Sequence, residues 1–158
     1  MTKYVFDTGP LRKLLDNYPR KGIYADHWEQ IENGFKNGTL FSVDEVYEEL
    51  KKRYDDLNAD MTWLKGLKCY FTYPSTDESL FIKELFFNKK FQELIHRKNI
   101  LENLPSADVF VIARAKSQNA TVVTTEEYKP NSSSIPFICE KNNIKCILFE
   151  DFMSEFIK

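Results

Sequence analysis

The chain has 158 residues and a mass of 18.7 kDa, a size that suits one domain. Its 42% apolar and 15% aromatic content is enough for a core and excludes wholesale disorder, and no apolar stretch approaches the roughly 18 residues of a membrane span. A net charge of −2 and a pI near 5.8 exclude a broadly basic nucleic-acid wrapper. They leave room for a nuclease, whose acids lower the net charge while a local basic patch holds phosphates.

Lys3 to Phe6 reads as a short buried strand ending at Asp7. Pro10 suits the first turn of a helix, where a missing N–H does no harm, and Leu11, Leu14 and Leu15 then follow at helical spacing up to Pro19. Asp26 is a candidate cap for a second helix carrying Trp28, Ile31 and Phe35 on one face, stopped by Gly38. Thr39 to Ser42 is a second strand, and the helix after it aligns Val43, Val46, Tyr47 and Leu50.

Trp63-Leu64 is expected on a helix, Cys69 to Thr72 as a third strand, and Pro74 to Asp77 as a turn. Leu80 to Ile95 has the composition of a helix or helical pair. Pro105-Ser106 precedes a nearly all-apolar helix running to about Ser117 and ended by Asn119. Ala120 to Thr124 is a strand, Tyr128 to Ser134 a polar loop, Pro136 to Lys141 a short helix, and Ile144 to Leu148 a last strand. Phe149, Phe152, Met153, Phe156 and Ile157 line a closing amphipathic helix. Strands alternating with helices predict an α/β fold with a parallel sheet covered on both faces, as one domain over residues 1–158.

The acids fall where strands end. Asp7 follows the first strand, Glu45, Glu48 and Glu49 follow the second, and Glu126 follows Thr121-Val122-Val123. Asp108 opens the apolar helix, where the dipole keeps it ionised if Ser106 is the cap. Ligands of an open parallel sheet bind just beyond the carboxyl ends of its strands, and converging carboxylates repel unless a cation lies between them. The pattern therefore points to a divalent-metal site. Taken singly, each acid has a plainer reading: a turn or cap for Asp7, a solvated helix face for the three glutamates, a first-turn acid for Asp108.

Other chemistries find less support. Asp7-Thr8-Gly9 matches an aspartic-protease signature, but those enzymes are all-β and pair two such acids, and no second Asp-Thr-Gly exists here. An Asp-nucleophile phosphatase wants an acid two residues on, where Gly9 stands. A receiver-like phospho-acceptor wants a Lys after its last strand, and Lys145 lies before Ile147-Leu148. His27 and His96 share no motif, and no phosphate loop, zinc spacing or dinucleotide fingerprint occurs. Cys69, Cys139 and Cys146 are odd in number and without metal-type spacing, which predicts reduced structural thiols. The N-terminus lacks a signal-peptide pattern, so a cytoplasmic location is expected.

Four segments taken in order resemble the PIN-domain nucleases, the group that holds VapC-type toxins. They are the strand ending in Asp7-Thr8, the helix Val46-Tyr47-Glu48-Glu49-Leu50, the run Ser106-Ala107-Asp108-Val109-Phe110-Val111-Ile112-Ala113, and Val122-Val123-Thr124-Thr125-Glu126. The segments Glu-Val-Tyr-x-Glu-Leu and Val-Val-Thr-x-Glu are most like those of an uncharacterised bacterial PIN-like branch. The resemblance implies a three-layer α/β/α sandwich with a short parallel sheet. It implies a Mg²⁺- or Mn²⁺-dependent endoribonuclease, the toxin of a toxin–antitoxin pair, with RNA as substrate, an antitoxin as partner and a homodimer as a compatible assembly.

Carried over position by position, Asp7, Glu49, Asp108 and Glu126 would be the catalytic, metal-binding acids, with Glu45 and Glu48 as alternates and Thr8 and Thr124 in support. Gly9 departs from the usual Asn and Glu126 from the more usual Asp. Lys51, Lys52, Arg53, Arg97 and Lys98 are candidates for contacting RNA, with Lys89-Lys90 and His96 nearby, although solvated helix faces account for each cluster alone. A PIN-like binding protein without catalysis is the alternative from another functional class.

Overall fold

A computed structural model describes residues 1–88, 107–132 and 134–158. Among the described residues five strands form a parallel sheet in the order β3-β2-β1-β4-β5. They are β1 (Tyr4–Phe6), β2 (Leu40–Val43), β3 (Phe71–Thr72), β4 (Thr121–Thr124) and β5 (Cys146–Leu148). Eight α-helices flank the sheet among the described residues. These are α1 (Thr8–Asn17), α2 (Ala25–Lys36), α3 (Asp44–Arg53), α4 (Ala59–Gly66), α5 (Thr76–Phe87), α6 (Asp108–Gln118), α7 (Ile135–Lys141) and α8 (Phe149–Phe156). The result is the α/β/α sandwich that the resemblance implies.

β1 is the central strand because all three of its residues are apolar and buried, as a parallel strand covered on both faces requires. It pairs with β2 on one side and β4 on the other. The order reverses between β1 and β4, and the carboxyl ends of the strands at such a switch point are where open parallel sheets bind ligands. Phe6 anchors the strand in the core, its ring 6.0 Å from Phe35 of α2 and 4.9 Å from Phe152 of α8. Burying one such ring contributes roughly 1.5–3 kcal/mol.

α6 lies against β1, β2 and β4. Val111, Ile112, Ala113 and Ala115 are all buried, and the two alanines let the helix come close. The helix stops where Asn119 takes the left-handed conformation at φ 50°. Gly38 ends the α2 region in the same way at φ 80°.

Several element boundaries differ from the expectations. The Cys69 region begins as a 3-10 turn over Lys68–Tyr70, so β3 is reduced to two residues at the sheet edge. Asp26 lies in the first turn of α2 rather than at its cap, which is Tyr24. α5 begins at Thr76, not at Leu80, because Ser75 and Glu78 form a reciprocal capping box. The remainder of the Leu80 to Ile95 reading, from residue 89 onward, lies outside the described residues. So do Lys89, Lys90, His96, Arg97, Lys98 and Ser106. The cap position of α6 is held by Ala107.

Candidate functional site

Asp7 sits at the switch point because it is the residue that directly follows the buried strand β1. Its backbone N–H donates to the Val123 carbonyl at 3.0 Å, which locks it beside β4. It occupies the cap position of α1, yet its side chain makes no capping bond. The carboxylate instead accepts from the Thr124 hydroxyl at 3.3 Å. The same hydroxyl accepts from the Glu126 N–H at 3.1 Å. Thr124 is fully buried, so one enclosed hydroxyl links the residue after β1 to the residue that begins the loop after β4.

Asp108 arrives from the other direction. α6 runs antiparallel to the strands, so its amino end lies where theirs finish. The partial positive charge of that end favours a carboxylate in the first turn. Glu126 comes from the β4 loop, and one of its oxygens accepts from the Ile135 N–H at 2.9 Å, at the start of α7. Asp7, Asp108 and Glu126 each present a carboxylate oxygen, and these three atoms lie within 4.8 Å of one another. Asp7 and Asp108 are buried and Glu126 is half-buried. Three hard oxygen donors at such spacing suit Mg²⁺ or Mn²⁺ better than a thiophilic metal. The field of the two aspartates reaches Cys139 in α7: its thiol is pushed up by a hydrogen bond to Cys146, by burial, and by Asp7 and Asp108.

Glu49 is placed differently. Its oxygens accept from the Thr8 hydroxyl at 2.5 Å and from the Ala107 N–H at 3.3 Å. It thus bonds the chain neighbours of Asp7 and Asp108 and is not a member of the three-acid group. Thr8 accordingly supports Glu49, as Thr124 supports Asp7. Glu45 is half-buried and does not belong to the group. Burial raises its carboxyl, with Arg114 lowering it and Asp44 and Glu78 adding to the rise. Glu48 is exposed. Lys51, Lys52 and Arg53 are exposed on the last turn of α3, and Arg53 is held by Asp16 at 2.6 Å.

Two features of the region escape the sequence reading. One is the buried Arg114, which donates to Glu78 and to backbone or hydroxyl oxygens of Ser42, Thr72 and Tyr73. An arginine inside the apolar run 109–115 was its visible signal. The other is the approach of Thr125 to Gly9, where a Cβ on Gly9 would lie 2.2 Å from the Thr125 hydroxyl oxygen.

A family model described as "Domain of unknown function (DUF4411)" matches residues 4–156, nearly the whole chain. The chain belongs to the DUF4411 family. No curated protein matches this DUF4411 chain. A chain in the structure of VapBC-1 from nontypeable Haemophilus influenzae is similar at 15% identity and a TM-score of 0.55, covering 94% of this chain and 99% of that one. A chain in the structure of VapBC2 from Rickettsia felis, bound to a DNA fragment from their promoter, is similar at 15% identity and a TM-score of 0.54. That match covers 93% of this chain and 98% of the other. At that identity the likeness is one of fold: this chain shares the fold of those chains from the VapBC structures.

Proposed function

We propose that this DUF4411 protein is a Mg²⁺- or Mn²⁺-dependent endoribonuclease and the toxin of a toxin–antitoxin pair. The observation that carries this reading is the meeting of Asp7, Asp108 and Glu126 at the sheet's switch point, from three distant parts of the chain. The VapC-like fold supports it, and so does the origin of the similar folds in VapBC structures. An antitoxin partner follows from the same likeness. No helix among the described residues is long and apolar enough to cross a membrane.

The three carboxylates fit a divalent cation by donor type and by charge, since an ion among them relieves their mutual repulsion. When bound, such an ion supplies Lewis acidity, polarising a phosphoryl oxygen and offsetting charge on the leaving oxygen. The chain's residues supply the placement. Thr124 orients Asp7, and the Ile135 N–H fixes one oxygen of Glu126. Glu49 holds the starts of α1 and α6 in register through Thr8 and Ala107. Fixed placement of this kind is what in-line attack on phosphorus requires.

The test is cleavage of a mixed RNA substrate with Mg²⁺ or Mn²⁺, wild type beside Asp7→Asn. Cleavage by wild type alone is expected, with the metal-free melting temperature of the variant at or above that of wild type because a repelling charge is gone. Equal cleavage by Asp7→Asn would remove Asp7 from the site. Absence of cleavage by either protein, for any RNA, would favour a binding module that has lost catalysis.

A further inference from the structure

Gly9 and Thr125 meet at the mouth of the acid group. Gly9 lies in the first turn of α1, two residues beyond Asp7. Thr125 stands between Thr124, which bonds Asp7, and Glu126, which belongs to the group. A Cβ built on Gly9 would lie 2.2 Å from Thr125 Oγ1, 3.3 Å from its Cβ and 3.4 Å from its Cγ2. Thr125 is exposed, and its hydroxyl lies where a side chain on Gly9 would stand. Turning the hydroxyl aside removes the closest contact and leaves the one at 3.3 Å, so the β4 loop has to give by a few tenths of an ångström if residue 9 gains a side chain.

We infer that Thr125 is a positioning residue: packed on Gly9, it holds the β4 loop at the distance from α1 that brings Glu126 into the acid group. The inference rests on the metal-site reading above and concerns how that site is assembled. Two hydrogen bonds also hold Glu126. Its N–H bonds the Thr124 hydroxyl within the same strand end, and its carboxylate bonds the start of α7. The Gly9–Thr125 contact seats this loop on the first turn of α1, next to the Thr124–Asp7 bond at the cap of that helix. Gly9 is thus the space that admits the loop, and the hydroxyl of Thr125 takes the volume a side chain at position 9 would fill.

The experiment is a Mn²⁺ titration of the intact protein by calorimetry, with the metal-free melting temperature recorded for each variant. The proteins are wild type, Gly9→Ala, Thr125→Ala and Gly9→Ala/Thr125→Ala. Displacing a group that orients a metal ligand typically costs roughly tenfold to a hundredfold in metal affinity. Gly9→Ala is expected to lose that much, and the double variant to recover most of it. Thr125→Ala alone, which keeps a Cβ on Gly9, should lose only a few-fold. A merely structural role would lower the melting temperature and leave the affinity of the folded protein unchanged. Wild-type affinity in Gly9→Ala, or no recovery in the double variant, overturns the inference alone. Failure of wild type itself to bind Mn²⁺ overturns this inference and the metal reading together.

Discussion

Thr8 donates its hydroxyl to Glu49 at 2.5 Å, and the other oxygen of Glu49 accepts from the N–H of Ala107. An acid on α3 thereby bonds residues on α1 and at the start of α6, each adjacent in the chain to an aspartate of the site. Glutamine can keep both contacts, accepting from Ala107 through its carbonyl and donating to Thr8 through its amide. Glu49→Gln is therefore expected to keep its stability within about 0.5 kcal/mol, as other well-tolerated substitutions do. Its loss of Mn²⁺ affinity should be well below that of Asp108→Asn in the same titration. Equal losses would show that Glu49 turns into the site when the ion binds.

Arg114 and Glu78 form an ion pair at 2.7 Å, 6% and 2% exposed, that joins α6 to α5. The remaining donors of the guanidinium reach the ends of β2 and β3, so one side chain ties two helices to the sheet edge. Removing one member strands a buried charge, which typically costs about 3–5 kcal/mol. Glu78→Ala should lose that much in urea unfolding, with the midpoint lowered and the slope unchanged. A loss below about 1 kcal/mol would mean that water reaches the pair.

Glu45 sets a pH dependence of its own. Burial lifts its carboxyl above the ordinary value of 4.5, so the folded state holds this proton more tightly than the unfolded chain does. The stability it contributes is complete below that ordinary value and is lost as pH rises through the folded one. Glu45→Gln mimics the protonated form. Relative to the variant, wild type should lose stability as pH rises above about 4.5, where the unfolded carboxyl ionises first. Urea unfolding of both proteins across this range measures it, and a constant difference would contradict the burial argument.

Much of the architecture was legible in the sequence because it follows from short-range rules. The run Tyr4-Val5-Phe6 had to be a buried strand, and Asp7 therefore had to stand at a strand end. Asp108 before an unbroken apolar helix had to lie at the amino end of a buried element. Asn119 and Gly38 marked their stops by tolerating the left-handed backbone. The capping signature Ser75-x-x-Glu78 was equally local and went unread, since Pro74 drew the segment into a turn.

What remained hidden is long-range. Nothing local joins Glu78 to Arg114, 36 residues away. Read alone, Gly9 looked like a lost polar group beside Asp7, and only the fold brings the Thr125 hydroxyl into that volume. Helical spacing put Glu45, Glu48 and Glu49 on nearby faces. It could not say that the first is half-buried in the field of Arg114 and Glu78, that the second faces solvent and that the third bonds Thr8.

The claim on which the account stands is that Asp7, Asp108 and Glu126 together hold a divalent cation. Thermal unfolding of wild type and Asp108→Asn in EDTA, Mg²⁺ and Mn²⁺ tests it most directly, because an ion that binds only the folded chain must raise its melting temperature. The account predicts a rise of several degrees in wild type at millimolar metal, roughly what 1–3 kcal/mol of linkage produces in a domain of this size. It predicts that the rise disappears in Asp108→Asn. No rise in wild type, or an equal rise in both proteins, would contradict it.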